Sequence, residues 1–369
     1  VSAQASPGPS NPPLFERFVV PGGMTEVNQR IVILGGGFAA LEAAFYLRWR
    51  LGPHADLLLI ADQDAFAFRP NLVHVPFGAD PMPLHIPLEP ATRAAGVRMF
   101  VERVRDVDFP ACMVLTEDGP VAYDRLIIAT GARARPDLLP GLVDFGYTLD
   151  TASDMLRLRQ ALRRITARAS EGRQQRMVFL VPDGQVSAGP LVEVALRTDA
   201  WLQRQGVRDR VHLSWSTPEQ HYLEAFGPQL DAEVERAFSR AGILGHRGES
   251  PIAVKSDTVH YASGLELPHD LLVASSPLTT SVRYTGAPKD NEGFLRVRPR
   301  TRQVLGLDDV YAVGDASSNP VKQAILACLQ ADVAAEDLAA RLLGTTPEFT
   351  YDPASPWVLA QYDTAAFAM

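Results

Sequence analysis

Ile31-Val32-Ile33-Leu34-Gly35-Gly36-Gly37-Phe38-Ala39-Ala40-Leu41-Glu42-Ala43-Ala44 is the stretch on which the reading of the chain turns. Four consecutive aliphatic residues suit a parallel strand buried on both faces. A glycine turn follows, then apolar residues at helical spacing: Phe38, Leu41 and Phe45. In such a strand–turn–helix, Gly35 makes the sharp turn, Gly37 lets the backbone approach a pyrophosphate, and Ala40 lets the helix lie close on the strand. The N–H groups and positive end of the helix would hold the phosphates. Alone, the pattern also fits the glycine turn of an α/β protein with no ligand.

Composition narrows the field. A chain of 369 residues is long for one hydrophobic core, so two domains are expected. A net charge of −8 leaves no basic excess to neutralise phosphates and argues against nucleic acid as a partner. Two distant cysteines, Cys112 and Cys328, exclude a disulfide framework and a Cys-rich metal site. No run of about 18 apolar residues is present to cross a membrane, which leaves peripheral contact with a bilayer surface open. Residues 1–23, rich in Pro, Ser and Gly, read as a disordered tail or a vector-derived remnant ahead of Met24.

Further along, Leu57–Asp62 reads as a second strand with an acidic residue at its end. Asp62 is either a ligand to ribose hydroxyls or a loop aspartate. Phe66-Ala67-Phe68-Arg69-Pro70 suits a rigid segment beside a planar ring system, and equally a proline-fixed surface loop. Val97–Val107 and Met113–Thr116 are expected as strands, with Glu117-Asp118-Gly119 as a hairpin turn. Cys112 is expected to pack as a small hydrophobe. Tyr123 to Ile128 forms another strand, ending in Ala129-Thr130-Gly131.

Val310-Tyr311-Ala312-Val313-Gly314-Asp315 is a last aliphatic strand, and Pro320-Val321-Lys322-Gln323 opens a helix from Ala324 to Leu343. Taken in order, Gly-x-Gly-x-x-Ala, Ala-Thr-Gly and Gly-Asp resemble the pyridine nucleotide-disulfide oxidoreductase superfamily. The Phe-Arg-Pro and Pro-Val-Lys-Gln segments look most like its sulfide:quinone reductase and flavocytochrome c sulfide dehydrogenase branch. The resemblance implies an α/β fold with two Rossmann-like dinucleotide-binding domains, glutathione-reductase-like. The first would be discontinuous (24–150 and 276–343), the second would span 151–275, and 344–369 would be a short C-terminal interface segment. It also implies bound FAD. Gly35, Gly37, Phe38, Ala40, Asp62, Arg69, Pro70, Ala129, Thr130, Gly131, Gly314, Asp315, Lys322 and Gln323 would form its site. Asp315 would bind a ribityl hydroxyl. Lys322 and Gln323 would lie at a helix N-terminus facing the flavin N1/C2 edge, where positive potential favours a reduced anion. Pro277 and Leu278 would be flavin neighbours.

The middle of the chain departs from the family pattern. Thr151–Ala169 is a helix with a basic face (Arg157, Arg159, Arg163, Arg164, Arg168), expected to be solvated. Met177–Val181 is the next strand and Pro190–Gln205 the helix behind it. The turn between them places Val186, Ala188 and Leu191 where a second glycine fingerprint belongs, so ordinary NAD(P)H binding is not expected. No cysteine lies between Gly131 and Ser187, where family members carry polysulfide on thiols, nor between Ile60 and Asp80, where relatives attach flavin covalently. Cys328 is expected to pack in its helix. None of the eight histidines has metal-ligand spacing, and His74 is the one nearest the Arg-Pro segment.

The expectation is an FAD-dependent oxidoreductase moving two electrons through a noncovalently bound flavin. It would use a small-molecule donor and a quinone or other acceptor, in the cytoplasm or at the inner face of the membrane, as a monomer or homodimer. A type II NAD(P)H:quinone reductase and a non-catalytic flavin-binding interaction protein are the alternatives.

Overall fold

The computed structural model describes residues 29–53, 55–184 and 186–352, with the backbone of strands Trp357–Ala360 and Ala365–Ala368. The N-terminal stretch read as a tail lies outside the described residues. The chain opens with β1 (Arg30–Leu34), α1 (Phe38–Leu51), β2 (Asp56–Ala61), β3 (Arg98–Val101) and β4 (Arg125–Ile128). It crosses over through a short strand, β5 (Gly146–Tyr147), and α2 (Ala152–Ser170). Next come β6 (Gln175–Leu180), α3 (Gly189–Arg204), β7 (Val211–Thr217), α4 (Pro228–Ala241), β8 (Ile243–Arg247) and β9 (Leu271–Ala274). The return is made by β10 (Val310–Ala312) and α5 (Ala324–Leu343).

Two parallel sheets result. The first has the order β10-β4-β1-β2-β3 and the second β5-β9-β6-β7-β8. Because β10 comes from the far end of the chain, the first sheet is discontinuous in sequence. Each sheet is covered on both faces, which is why its strands read as unbroken apolar runs. Ile31 and Ile33 face α1 and α5, while Val32 and Leu34 face the antiparallel sheet that contains Val107 and Val114. In the second unit, Met177 and Phe179 face the helices, and Val178 and Leu180 face the sheet of Val254, Val259 and Leu267.

Helices α1 and α5 touch through small residues: Ala39, Ala43 and Ala44 meet Ala327, Ala331, Ala334 and Ala335. Alanine at these positions allows close approach, so both helix N-termini are held near one edge of the first sheet. Helix α2 starts with a capping box: Thr151 accepts from the Asp154 N–H at 3.1 Å, and Asp154 accepts in return from the Thr151 N–H.

Three expectations are corrected. The stretch Val97–Val107 is two strands in two sheets: Arg98–Val101 continues the parallel sheet, and Val104–Asp108 pairs antiparallel with Met113–Thr116. The break comes where the Glu102 N–H donates to the Ala61 carbonyl and ends the parallel ladder. Cys112 does not pack inside. It is exposed, with a left-handed φ of 53°, in the turn before Met113. Arg159 is not part of a solvated basic face. It is half-buried, and its guanidinium donates to the carbonyls of Val75 (2.7 Å) and Ala79, pinning the 3-10 segment Arg69–Phe77 onto α2. Leu72, Val73 and Val75 of that segment join the core of the second unit.

Candidate functional site

The registers Leu34↔Ile60, Leu34↔Ile128 and Ile128↔Ala312 bring the C-terminal ends of β1, β2, β4 and β10 to one level. The turns that follow these strands therefore share one edge of the sheet, the edge at which open α/β sheets bind ligands. The Gly35 N–H donates to Ile60 and the Ala129 N–H to Leu34, each at 2.8 Å. Gly35 has φ 119°, and a Cβ there would lie 2.3 Å from the Ala129 carbonyl oxygen. It is glycine because two backbones touch.

Gly37 is different. Its φ is −92°, and a Cβ built there would meet nothing within 4 Å. It is the N-cap of α1, with no side chain capping the helix and no acidic residue in the first turn. The first N–H groups of a helix need partners, and no capping side chain supplies one here. Ala40 is fully buried in the core shared by α1, α5 and the first sheet. Phe38 packs against Phe66 (4.8 Å between centroids, edge-on) and Phe68 (5.6 Å), so the aromatic pair forms one wall beside the turn. Asp62 lies exposed one residue beyond β2, at the rim.

Thr130 is held by a 2.7 Å hydrogen bond between its hydroxyl and that of Tyr284, and the Ser281 hydroxyl donates to its carbonyl at 3.1 Å. Gly131 follows with φ 70°. Gly314 (φ 60°) lies where a Cβ would be 3.2 Å from the Ala327 Cβ and 3.3 Å from that of Ala39, the junction of α1, α5 and β10. Burial pushes the Asp315 carboxyl up, opposed by the charges of Lys322 and Arg69. Arg69 and Pro70 are exposed at the start of the 3-10 segment.

Lys322 is buried, and its ammonium points inward. Nζ donates to the carbonyls of Asp315 (3.0 Å) and Ser317 (2.6 Å) and lies 3.8 Å from the Phe294 ring centroid. Burial lowers its pKa to about 8. It braces the Gly-Asp turn from behind. Gln323 is the N-cap of α5.

The corresponding helix of the second unit is also uncapped and has no acidic residue in its first turn, but its N-cap is buried Ala188 rather than a glycine beside open space. Val186 packs against the helical core, and Ala188 and Leu191 are buried at the start of α3, whose first turn contains Pro190. Beside this turn, between the two units, is a cavity of about 270 Å³. Pro182, Asp183, Ile252, Pro277, Leu278 and Glu292 are among its lining residues. Pro277 and Leu278 thus line the space between the units. Two carboxylates in that lining oppose a pyrophosphate. The two crossovers meet nearby, where the Ser276 hydroxyl donates to Asp150 at 2.6 Å.

Cys112 is an exposed turn residue, and Cys328 is not an activated thiol. Cys328 is half-buried, flanked by exposed Ile325 and half-buried Leu329, and burial together with Glu42 and Asp332 pushes its pKa up to about 11. His74 is half-buried, and burial lowers its pKa. Among the described residues no group of three or more His, Cys, Asp or Glu could hold a metal ion, and no helix is long and apolar enough to cross a membrane.

Several residues at this edge were not expected from sequence: Tyr284 behind Thr130, the Asp150–Ser276 tie, and Arg302 with Gln330 behind Gly314. A lone glutamine within the apolar run of α5 was the one available signal for Gln330.

The family model of pyridine nucleotide-disulphide oxidoreductases matches residues 29–331. An NADH dehydrogenase-like protein of Mycobacterium tuberculosis is 28% identical over 295 residues, covering 78% of this chain and 73% of that protein. Demethylphylloquinone reductase of Synechocystis is 26% identical over 309 residues, covering 80% and 73%. The sulfide:quinone oxidoreductase structure from Aquifex aeolicus superposes with a TM-score of 0.81 at 20% identity, covering 92% of this chain and 83% of that one.

Proposed function

This chain belongs to the pyridine nucleotide-disulphide oxidoreductase family and is an oxidoreductase, and we propose that it works through noncovalently held FAD at the C-terminal edge of its first sheet. The observation that carries this reading is the open space over Gly37, in front of an uncapped helix N-terminus, on the same edge as the Gly314–Asp315 turn. When bound, FAD supplies the two-electron chemistry. Gly37 and the N-terminus of α1 would hold its pyrophosphate, and Asp315 would accept hydrogen bonds from its ribityl hydroxyls. Lys322 and the N-terminus of α5 would favour negative charge nearby. Phe38 and Phe66 would exclude water from one side.

The donor is a small molecule other than NAD(P)H bound in the ordinary way. Support comes from buried Ala188 and Leu191, core-packed Val186, and the carboxylates beside the second turn. A thiol relay for sulfide finds no support either, since Cys112 is a surface turn residue and Cys328 a poorly ionised thiol. A quinone is the favoured acceptor because relatives named for quinone reduction match most of the chain. The place of work would be the cytoplasm, or the inner face of a membrane if the quinone is met there.

A second reading, a type II NADH:quinone reductase, is favoured by the names of the same relatives. Anaerobic mixing of the flavin-loaded protein with NADH, NADPH, sulfide, small thiols and reduced ferredoxin separates the two. Slow or absent bleaching by NADH and NADPH is expected. Bleaching within seconds by NADH would transfer the protein to the second reading.

A further inference from the structure

Arg302 lies behind the Gly314–Asp315 turn, 2% exposed, with a left-handed φ of 66°. Its guanidinium donates to the Ser317 hydroxyl (2.8 Å), to Gln330 Oε1 (3.1 Å) and to Asn319 Oδ1 (3.4 Å), and lies 5.1 Å from the Tyr351 ring centroid. All of these partners are neutral. Among the described residues no carboxylate lies within ion-pair distance of Arg302, and its Nε has no partner. The neighbouring buried cation, Lys322, donates to carbonyls and lies over a ring, and the Asp315, Asp290 and Glu292 charges oppose the effect of its burial, whereas no carboxylate does so for Arg302. Lone buried charge is costly, since a guanidinium removed from water without a counter-ion forfeits several kcal/mol of solvation. Bracing alone would not need it. A neutral side chain could bond Ser317 and Gln330 as well.

What the guanidinium grips is the turn itself. The Gly314 N–H donates to the same Gln330 Oε1 at 2.9 Å, and the Ser317 hydroxyl donates to the Gly314 carbonyl at 2.9 Å. Arg302 therefore holds Gly314 by both backbone groups, each through one side chain. The Arg302 carbonyl also accepts from the Ala312 N–H at 3.0 Å, which fixes the arginine to β10. We propose that Arg302 is a positioning residue of the flavin site, and that its uncompensated charge fixes the Gly314–Asp315 turn and weights the site towards the reduced, anionic cofactor. Were FAD bound there, its two-electron, one-proton reduced form would carry one negative charge, and the buried cation behind the turn would lower the free energy of that state relative to the neutral oxidised one. The inference rests on the FAD reading above.

The test compares wild type with Gln330→Glu and Arg302→Met. Gln330→Glu keeps every heavy-atom position and supplies a counter-charge at the atom Arg302 now contacts. Arg302→Met deletes the charge. The readouts are the two-electron flavin potential, the affinity for FAD, and the melting temperature of the apoprotein. Each variant is expected to hold reduced FAD about tenfold less tightly relative to oxidised FAD, a fall of about 30 mV. A merely structural role would lower the melting temperature of Arg302→Met and leave both potentials at the wild-type value, and that result overturns the inference. If Arg302→Met fails to fold, Arg302→Lys, which keeps the charge, and Arg302→Gln, which removes it, replace it: a fall in potential confined to Arg302→Gln supports the inference, and equal potentials overturn it. A wild type that takes up no FAD would overturn the underlying reading as well. A yellow wild type with unmoved variants overturns only the role of Arg302.

Discussion

Gly37 and Gly35 lie two residues apart in one turn, and the structure gives them opposite responses to the same added methyl group. At Gly37 a Cβ meets nothing within 4 Å and the φ of −92° suits any residue. The apoprotein should therefore tolerate Gly37→Ala or Gly37→Val, losing about 1 kcal/mol or less for a poorer N-cap. If that space is where a pyrophosphate rests, the new side chain must be accommodated when the ligand binds. Overpacking of this kind costs about 1–3 kcal/mol, which is roughly a tenfold to hundredfold weaker affinity for FAD. At Gly35 the added Cβ would be 2.3 Å from the Ala129 carbonyl oxygen, at a φ of 119°. Backbone strain and forced separation of β1 from β4 together should remove about 3 kcal/mol or more of stability, a large part of an ordinary domain's margin. Fluorescence titration of stripped protein with FAD and thermal melting of the apoprotein measure the two effects separately. A Gly37→Val protein that binds FAD as tightly as wild type would refute the assignment of that space to phosphate. One that fails to fold would refute the geometric argument itself.

The thiols should be dispensable: a Cys112→Ala, Cys328→Ala double variant should retain FAD and its reduction by any donor that works on wild type, and loss of reduction would reinstate a thiol step. With its pKa near 11, Cys328 should resist alkylation at pH 7 while exposed Cys112 reacts, as mass spectrometry of labelled peptides would show. Burial and the adjacent Glu42 raise the Asp332 carboxyl to about 7 from an ordinary 3.8. Its proton therefore stabilises the fold fully below pH 3.8, and that contribution is lost as pH climbs through about 7. Asp332→Asn should accordingly gain stability relative to wild type between pH 5 and 8, and a parallel pair of melting curves across that range would count against the pairing. Arg159→Met should cost about 1.5–3 kcal/mol in urea unfolding, since the Val75 carbonyl within the 3-10 segment and the Ala79 carbonyl just beyond it lose a charged donor. No loss would mean that the segment is held by Leu72, Val73 and Val75 alone.

Local pattern made much of the fold legible. The run Ile31 to Leu34 had to be covered on both faces, and α5 begins at Ala324 and ends at Leu343, between a β-region N-cap and Gly344, as its apolar pattern implied. Pattern could not say which partner a strand takes. The run Val97 to Val107 is β-prone on either side of Glu102 and Arg103, and the chain changes sheets at that polar pair, with partners set by residues elsewhere in the sequence. The glycine elbow and the Gly-Asp turn were readable because each is a short-range signature of backbone geometry. Arg302 was not, since its meaning depends on Ser317, Gln330 and Tyr351, brought to it from 15 to 49 residues away by the return of β10 and α5. Lys322 was read as a helix-end cation facing the cofactor. Its ammonium instead grips the carbonyls behind the turn, a distinction between first-turn and interior geometry that spacing does not carry. Likewise Cys112 was expected inside a strand, but a left-handed turn residue one place before it faces water.

Everything proposed for this site depends on whether a flavin dinucleotide binds at the Gly37 edge of the first sheet. Stripped protein mixed with excess FAD and desalted gives the most direct measurement. One equivalent of FAD is expected to be retained and released intact by denaturation, with a smaller fraction retained by Gly37→Val under the same conditions. Protein that emerges colourless after that treatment, with a wild-type melting curve showing it folded, would contradict it.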